Sequence, residues 1–407
     1  MAEDFLVEPD LNFIRDIQKA GGDSVKKCFQ CATCSVVCKL TPADSPFPRK
    51  EMIWAQWGQK DKLLSDPDVW LCHQCNDCTA NCPRGAKPGD VLAAIRSVSF
   101  KNYAFPRFMG SLLSKPSMAI FAWAVPVIVL LAMISAFPTI YSILPHPEGG
   151  IFGELVNGFK SAGWSNMPSG PIAYSNFYPE MGIDITFITL LTLGIIGLVV
   201  GLLRFWKAMV TNHGEMGLMG APIPNILKAL PTIFKHSKFN TCGESRDRYY
   251  GHLGVFYGFV GAFVTTAFVA SSFWLLGVTT PYTLAHNGAW AVIVKLVGNL
   301  SAAAIIIGGI LLFVKRATYK KSATSYFDWT LIVLVAGLGI TGLAAELFRL
   351  YDLRSIAYPT YFVHLTFVAY LFLYLPFSKM AHIAYRTVAM AFARSAQRDL
   401  VSSEEIA

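Results

Sequence analysis

The pattern of apolar and polar positions divides this chain near residue 118. Before that point, apolar residues recur at helical spacing in short, interrupted stretches. Leu11 to Ile17 is a brief amphipathic segment, and RKEMIWAQWGQKDKLL at 49–64 carries apolar residues at helical spacing. Residues 88–103 open Pro-Gly-Asp and continue VLAAIRSVSF, which predicts a helix with Asp90 near its N-terminus. After residue 118 the apolar runs become long enough to cross a bilayer. Six are predicted, at about 118–141, 183–206, 252–277, 289–314, 327–348 and 357–384. One such run alone reads equally well as a buried core helix, but six in succession do not.

Composition agrees with this division. Hydrophobic residues make up 54% of the 407 positions and charged residues 15%, too apolar a balance for an ordinary soluble protein. The predicted organisation is an N-terminal domain over 1–103, a basic, proline-containing connector over 104–117, a membrane domain over 118–395 and a tail over 396–407. Residues 1–20 are acidic and mixed and do not read as a cleavable signal. The net charge of +8 is explained by where the cations lie rather than by nucleic acid. With the N-terminal domain inside, the inner connections carry seven cations over 204–248, four over 315–321 and four over 379–398. The outer connections carry only Lys160, Arg349 and Arg354. This asymmetry predicts a multi-pass protein of the cytoplasmic membrane with both termini inside, in contact with lipid.

The N-terminal domain holds eight of the nine cysteines. Cys28, Cys31, Cys34 and Cys38 form a C-x2-C-x2-C-x3-C run, and Cys72, Cys75, Cys78 and Cys82 repeat it, closed by Pro83. Two such runs are the ligand set of a two-cluster ferredoxin-like module, in which the fourth cysteine of each run reaches across to the other cluster. One [4Fe-4S] cluster is therefore assigned to Cys28, Cys31, Cys34 and Cys82, the other to Cys72, Cys75, Cys78 and Cys38. Zinc is the alternative for C-x2-C pairs, but it uses two pairs rather than four thiolates in one short run. Cys242 is left over as an ordinary thiol.

Histidines supply the second chemistry. His364 and His382 are 18 residues apart, which on one helix is five whole turns and about 27 Å along one face. An ionisable residue in a span is a functional hypothesis by default, and imidazole is the usual axial ligand of a b-type haem. His252 lies level with His382 and is the candidate partner there. His286, in an outer connection, is the candidate partner of His364, with His146 as an alternative. His213 and His236 fall in the inner basic connection and read as solvated side chains. Lys295, Asp328 and Glu346, in or at the edges of spans, read either as part of a quinone site or as structural pairs.

The cysteine runs resemble the iron–sulfur C subunit of heterodisulfide reductase. YFVHLTFVAYLFLYLPFSKMAHIAY at 361–385, RYYGHLGVFYGF around His252 and GGILLFVKR at 308–316 resemble the cytochrome b family shared by the heterodisulfide reductase E subunit and the nitrate reductase gamma subunit. The fusion is similar to the C subunits of the quinone-interacting membrane-bound oxidoreductase of sulfate reducers. The equivalent fused protein of a sulfite-reduction-associated complex is a sibling. The resemblance implies an enzyme subunit of a quinone-dependent oxidoreductase complex, whose chemistry is carried by its cofactors rather than by catalytic side chains. It implies electron transfer from menaquinol through haem b and two [4Fe-4S] clusters to flavin and iron–sulfur subunits of the heterodisulfide reductase A type, and on to adenylylsulfate reductase. Two positions depart from it. Lys39 stands where proline often follows the first run. Ala262 stands where the family's partner helix often has a second histidine, so His364 is left with His286 or with no haem. The rival reading is a non-redox anchor for a soluble reductase, and histidines in register argue against it.

Overall fold

The computed structural model describes residues 8–398 apart from 43–44, 147–149, 161, 164–170, 214–221, 237–242, 244–247, 278–287 and 319–324. Among the described residues every regular element is a helix and no strand occurs. His286 and Cys242 lie outside the described residues.

The N-terminal domain is built on α1 (Leu11–Ile17), α2 (Arg49–Gln56), α3 (Lys60–Leu64) and α4 (Pro88–Tyr103). Asp10 caps α1 by accepting the Phe13 N–H at 2.9 Å. The stretch 49–64 is not continuous. It turns at Gly58, whose φ is +65° and whose added Cβ would meet the Asp10 backbone nitrogen at 2.9 Å, so glycine alone fits. Helix α4 begins on Pro88, whose missing N–H costs nothing in a first turn, and it is buried along most of its length.

Among the described residues, six further helices are long and apolar enough to cross a membrane. They are α5 (Ala119–Ile143), α6 (Glu180–His213), α8 (Arg248–Leu276), α9 (Ala289–Thr318), α10 (Tyr326–Leu350) and α11 (Arg354–Tyr374). Ile195, Leu203, Phe263 and Leu275 are exposed on them, as lipid-facing side chains should be. Between α6 and α8 lies the shorter α7 (Pro222–Lys235). Helices α8 and α9 approach each other closely, because small residues let the backbones touch. A Cβ on Gly308 would stand 2.7 Å from the Gly251 carbonyl oxygen and 2.7 Å from the Val255 nitrogen. We expect Gly308→Leu to force these helices apart and destabilise the chain by about 1–3 kcal/mol or more. The readout is a lowered Tm of the detergent-solubilised protein, and an unchanged Tm would contradict the close contact.

The last membrane helix departs from the sequence expectation. His364 and His382 do not share one straight helix. Helix α11 ends at Tyr374, short 3-10 turns follow at Leu375–Phe377 and Lys379–Ala381, and α12 (His382–Ser395) starts afresh. Pro376 lacks the N–H needed to continue α11. Ser378, in extended conformation, accepts the Met380 N–H with its side chain and restarts the chain in a new direction. The five-turn register between the two histidines is therefore absent.

This break lets α12 leave the bundle and enter the N-terminal domain. One continuous core joins Trp70, Phe100 and Tyr103 of that domain to Phe205 and Met209 of α6 and to Tyr385 and Phe392 of α12. Trp70 stacks on Tyr385 with centroids 4.8 Å apart. Arg204 donates to the Ala104 carbonyl at 2.7 Å, and Arg398 pairs with Asp68 at 2.8 Å. The cysteine-bearing domain is thereby seated on one end of the helical bundle.

Candidate functional site

The two cysteine runs fold as copies of each other. In each, the second and fourth residues after the first cysteine take left-handed backbone: Gln30 and Ala32 in one, Gln74 and Asn76 in the other, with φ between 52° and 71°. Non-glycine residues rarely adopt this conformation, and its use at matching positions curls each run around its own centre. Side chains hold the curls from behind. Gln56 donates to the carbonyls of Val25 and Cys28 at 3.0 and 2.9 Å. Arg96 does the same for the second run, reaching the carbonyls of Val69 and Cys72 at 2.8 and 3.2 Å.

None of the eight cysteines is engaged in a disulfide. Cys28 lies within electrostatic reach of Cys82 as well as of Cys31, and Cys38 within reach of Cys72 and Cys75. The fold thus brings the fourth cysteine of each run to the other run. Burial pushes the thiol of Cys34 up to about 11 and that of Cys38 up to about 12. Cys31 is exposed and is held below the usual thiol range by the Thr33 hydroxyl 3.4 Å away. Iron requires thiolates, so loading the buried positions expels protons and exchanges a desolvated thiol for a metal bond.

Behind the second run, between the N-terminal domain and the bundle, lies a cavity of about 300 Å³. Cys72 and His73 form part of one wall, and His236, His252 and His382 form part of another. Six cationic side chains line it: Arg96, Arg248, Lys315, Arg316, Lys379 and Arg386. Asp328 is the one carboxylate among the described lining residues. Asp328 accepts from Arg316 at 2.5 Å and from Lys379, and it caps α10 through Ser325. Arg248 donates to the Gln74 carbonyl at 3.0 Å, and Arg386 contacts His73 and the Leu71 carbonyl. Such a cavity suits an anionic, largely apolar guest.

His252 and His382 meet across this space with ring centroids 6.2 Å apart and planes at 85°. Two imidazoles bound to opposite faces of one metal, each through a bond of about 2.0 Å, place their centroids roughly 6 Å apart. The residues therefore fit a bis-histidine haem in both separation and charge. His382 Nδ1 contacts the Lys379 carbonyl oxygen. A carbonyl only accepts, so that nitrogen carries the proton and the ring's lone pair is on Nε2.

The other candidate residues lie elsewhere. His364 is half-buried on α11, with Nδ1 3.0 Å from the Thr341 hydroxyl and its ring against Gly342. It does not line the cavity. His146 is exposed and packs edge-on to Tyr141 at 4.4 Å. Lys295 and Glu346 pair at 3.3 Å, and Arg349 joins Glu346 at 3.0 Å. A buried acidic group of Glu51, Asp66 and Asp68 is already met by Lys50, whose ammonium stands 3.0, 2.7 and 2.5 Å from them.

His236 corrects the sequence reading. It is buried, not solvated, at 9% exposure, with its ring 5.0 Å from that of His252. Nothing periodic in the sequence marks it. Arg248 and Arg386 were more legible, since each lies four residues from a cavity histidine on the same helix and so on the same face.

Comparison with known proteins matches two parts of the chain separately. A family model described as a 4Fe-4S dicluster domain matches residues 24–86, and one described as Citrate utilization protein B matches residues 177–401. The C subunit of the H(2):CoB-CoM heterodisulfide,ferredoxin reductase of Methanothermobacter marburgensis is 39% identical over 93 residues, covering 23% of this chain and 50% of that protein. A protein of Archaeoglobus profundus, described as like the C subunit of heterodisulfide reductase, is 36% identical over 89 residues, covering 22% of this chain and 47% of that protein. The chain thus spans about half the length of these two relatives. Citrate utilization protein B of Escherichia coli is 24% identical over 380 residues, 89% of this chain and 88% of that one. No solved structure matches the chain significantly.

Proposed function

The chain belongs to the citrate utilization protein B family, and from that premise we propose that it is a membrane electron-transfer subunit of a quinone-dependent oxidoreductase. Its N-terminal region is of the kind found in the C subunit of heterodisulfide reductase. In this reading, Cys28, Cys31, Cys34 and Cys82 hold one [4Fe-4S] cluster and Cys72, Cys75, Cys78 and Cys38 the other. His252 and His382 hold a haem b in the cationic cavity, with Arg and Lys side chains there meeting its carboxylates. The observation that carries the reading is the placement of the crossed imidazoles, 6.2 Å apart in a cavity that also touches Cys72. Haem supplies one-electron chemistry, and the apolar bundle excludes water from it. Because the cavity borders the second cysteine run, an electron has a direct way between the membrane half and the N-terminal domain.

Menaquinol is the proposed donor. Flavin and iron–sulfur subunits of the heterodisulfide reductase A type, with adenylylsulfate reductase beyond them, are the proposed acceptors. A second haem on His364, with His286 opposite, belongs to the same proposal. Thr341 donates its hydroxyl proton to the Gly337 carbonyl at 2.5 Å, so its oxygen accepts from His364 Nδ1–H and the imidazole lone pair is again on Nε2. The cation asymmetry of the connections supports placing the cysteine domain in the cytoplasm. The test is quinol-driven reduction of the visible haem band in proteoliposomes. Haem that is present but never reduced by quinol would sink the quinone reading.

A second reading follows from the match to citrate utilization protein B, which spans both halves of the chain. There the same wire runs backwards, from a soluble partner acting in citrate utilization into the quinone pool. Which partner reduces the haem first distinguishes the two directions.

Either direction needs a contact for a soluble partner. Beside exposed Cys31, Phe29 and Val36 are 67% and 83% exposed, with Lys26, Lys27, Lys39, Arg49 and Arg84 exposed around them. This apolar centre with a basic rim suits an acidic electron-transfer protein. Lys26→Glu with Lys27→Glu is expected to slow electron exchange with that partner about tenfold at low salt, with the difference shrinking as salt rises. A rate unmoved by charge reversal would place the contact elsewhere.

A further inference from the structure

We propose that His236 is a positioning residue that fixes the tautomer of His252 and strengthens it as a haem ligand. The inference rests on the haem site proposed above.

The argument is one of proton accounting. His236 Nδ1 lies 3.1 Å from the Phe234 carbonyl oxygen. A carbonyl oxygen cannot donate, so His236 Nδ1 carries a proton, and in the neutral ring Nε2 is the acceptor. That Nε2 lies 3.0 Å from His252 Nδ1. His252 therefore donates from Nδ1, and its lone pair is on Nε2, the nitrogen suited to an axial bond. The sequence Phe234 carbonyl, His236, His252 transmits a fixed orientation from the end of α7 to the N-terminal part of α8. On the far side, the Lys379 carbonyl sets the same tautomer in His382. The two ligands differ in the strength of their acceptors, imidazole against amide.

His236 is held firmly in this role. Its backbone is left-handed at a φ of 50°, and its ring packs edge-on against Phe256 with centroids 4.8 Å apart. The Phe234 carbonyl is itself held by the Tyr257 hydroxyl at 2.7 Å. Outer partners of this kind orient a metal-binding histidine and raise its basicity. A more basic axial imidazole favours oxidised iron, so His236 lowers the haem potential.

The test compares His236→Phe and His236→Gln in the purified full-length chain, with cluster iron as the check on folding. The Phe variant keeps the ring's bulk but accepts no proton. The Gln variant keeps an acceptor oxygen near the position of Nε2. We expect His236→Phe to retain a low-spin bis-histidine spectrum, to lose haem about tenfold faster on challenge with apomyoglobin, and to show a raised midpoint potential. A tenfold change in the oxidised-to-reduced ratio corresponds to about 59 mV for one electron. His236→Gln should return both values toward wild type. Unchanged potential and retention in the Phe variant overturn the proposal while leaving the haem site standing. Conversion to a five-coordinate, high-spin spectrum also overturns it, because His236 would then be a ligand itself. A wild-type chain without haem defeats the site and this inference together, a result distinct from the other two.

Discussion

His252→Ala is expected to empty the cavity site of haem while leaving about eight cluster irons per chain. The reasoning begins with geometry. His252 and His382 line one cavity with ring centroids 6.2 Å apart, and the cations around them would meet the carboxylates of the proposed haem. Replacing His252 would remove one of the two imidazoles that would hold the haem. Outer partners of metal ligands already command about 10–100-fold in affinity, so loss of the ligand itself should exceed that. His252 contributes little to the core that joins the two domains, which is carried by Trp70, Tyr385 and Phe392. Cluster content and chain stability should therefore survive. The measurement is the pyridine haemochrome content alongside total iron. Wild-type haem content and an unchanged low-spin spectrum in the variant would refute the assignment. His364→Ala is the companion experiment. It should leave this site intact, and any haem lost with it counts the second site.

Cys38→Ala should produce the same cluster defect as Cys75→Ala, and Cys82→Ala the same defect as Cys28→Ala. This result runs against chain order, since Cys38 belongs to the first run and Cys82 to the second. It follows from the fold, in which Cys38 lies by Cys72 and Cys75 while Cys82 lies by Cys28. The matching left-handed turns at Gln30 and Ala32 and at Gln74 and Asn76 give each run three converging sulfurs and leave the fourth to cross. Each single variant should lose about four of about eight irons. The two clusters should be distinguishable by their EPR signals on reductive titration. If Cys38→Ala removed the same signal as Cys28→Ala, the crossed assignment would be wrong.

How legible these features were depended on how local they are. Helix α4 runs from Pro88 to Tyr103, as its pattern foretold, because a proline start and an apolar face act within a few turns. The six long helices were equally plain, since the absence of charge over some twenty residues leaves few alternatives. The nearness of His252 to His382 was readable from topology, although the expected straight last helix was not found. The supposed straight helix through His364 and His382 breaks after Tyr374, and the histidines met for another reason. A proline in an apolar run is tolerated inside α5 at Pro126 and Pro138, yet at Pro376 it ends a helix. The difference is the side-chain cap at Ser378 and the docking of α12 into the N-terminal domain, neither of which leaves a periodic trace.

The sequence by itself determined the cysteine spacing, the helical class, the six apolar runs and the charge asymmetry between their connections. The first three depend on residues close together in the chain, where local geometry converts spacing directly into placement, and the last needs only a count of cations along it. Only the tertiary structure decided that Arg96 of the N-terminal domain, Arg248 of α8 and Arg386 of α12 face one cavity, and that His236 bonds to His252. The first of these joins segments far apart in the chain, and the second, though only 16 residues apart, depends on how α7 is set against α8. Their formation depends on crossing angles and connection shapes, and these are settled by packing the whole core at once.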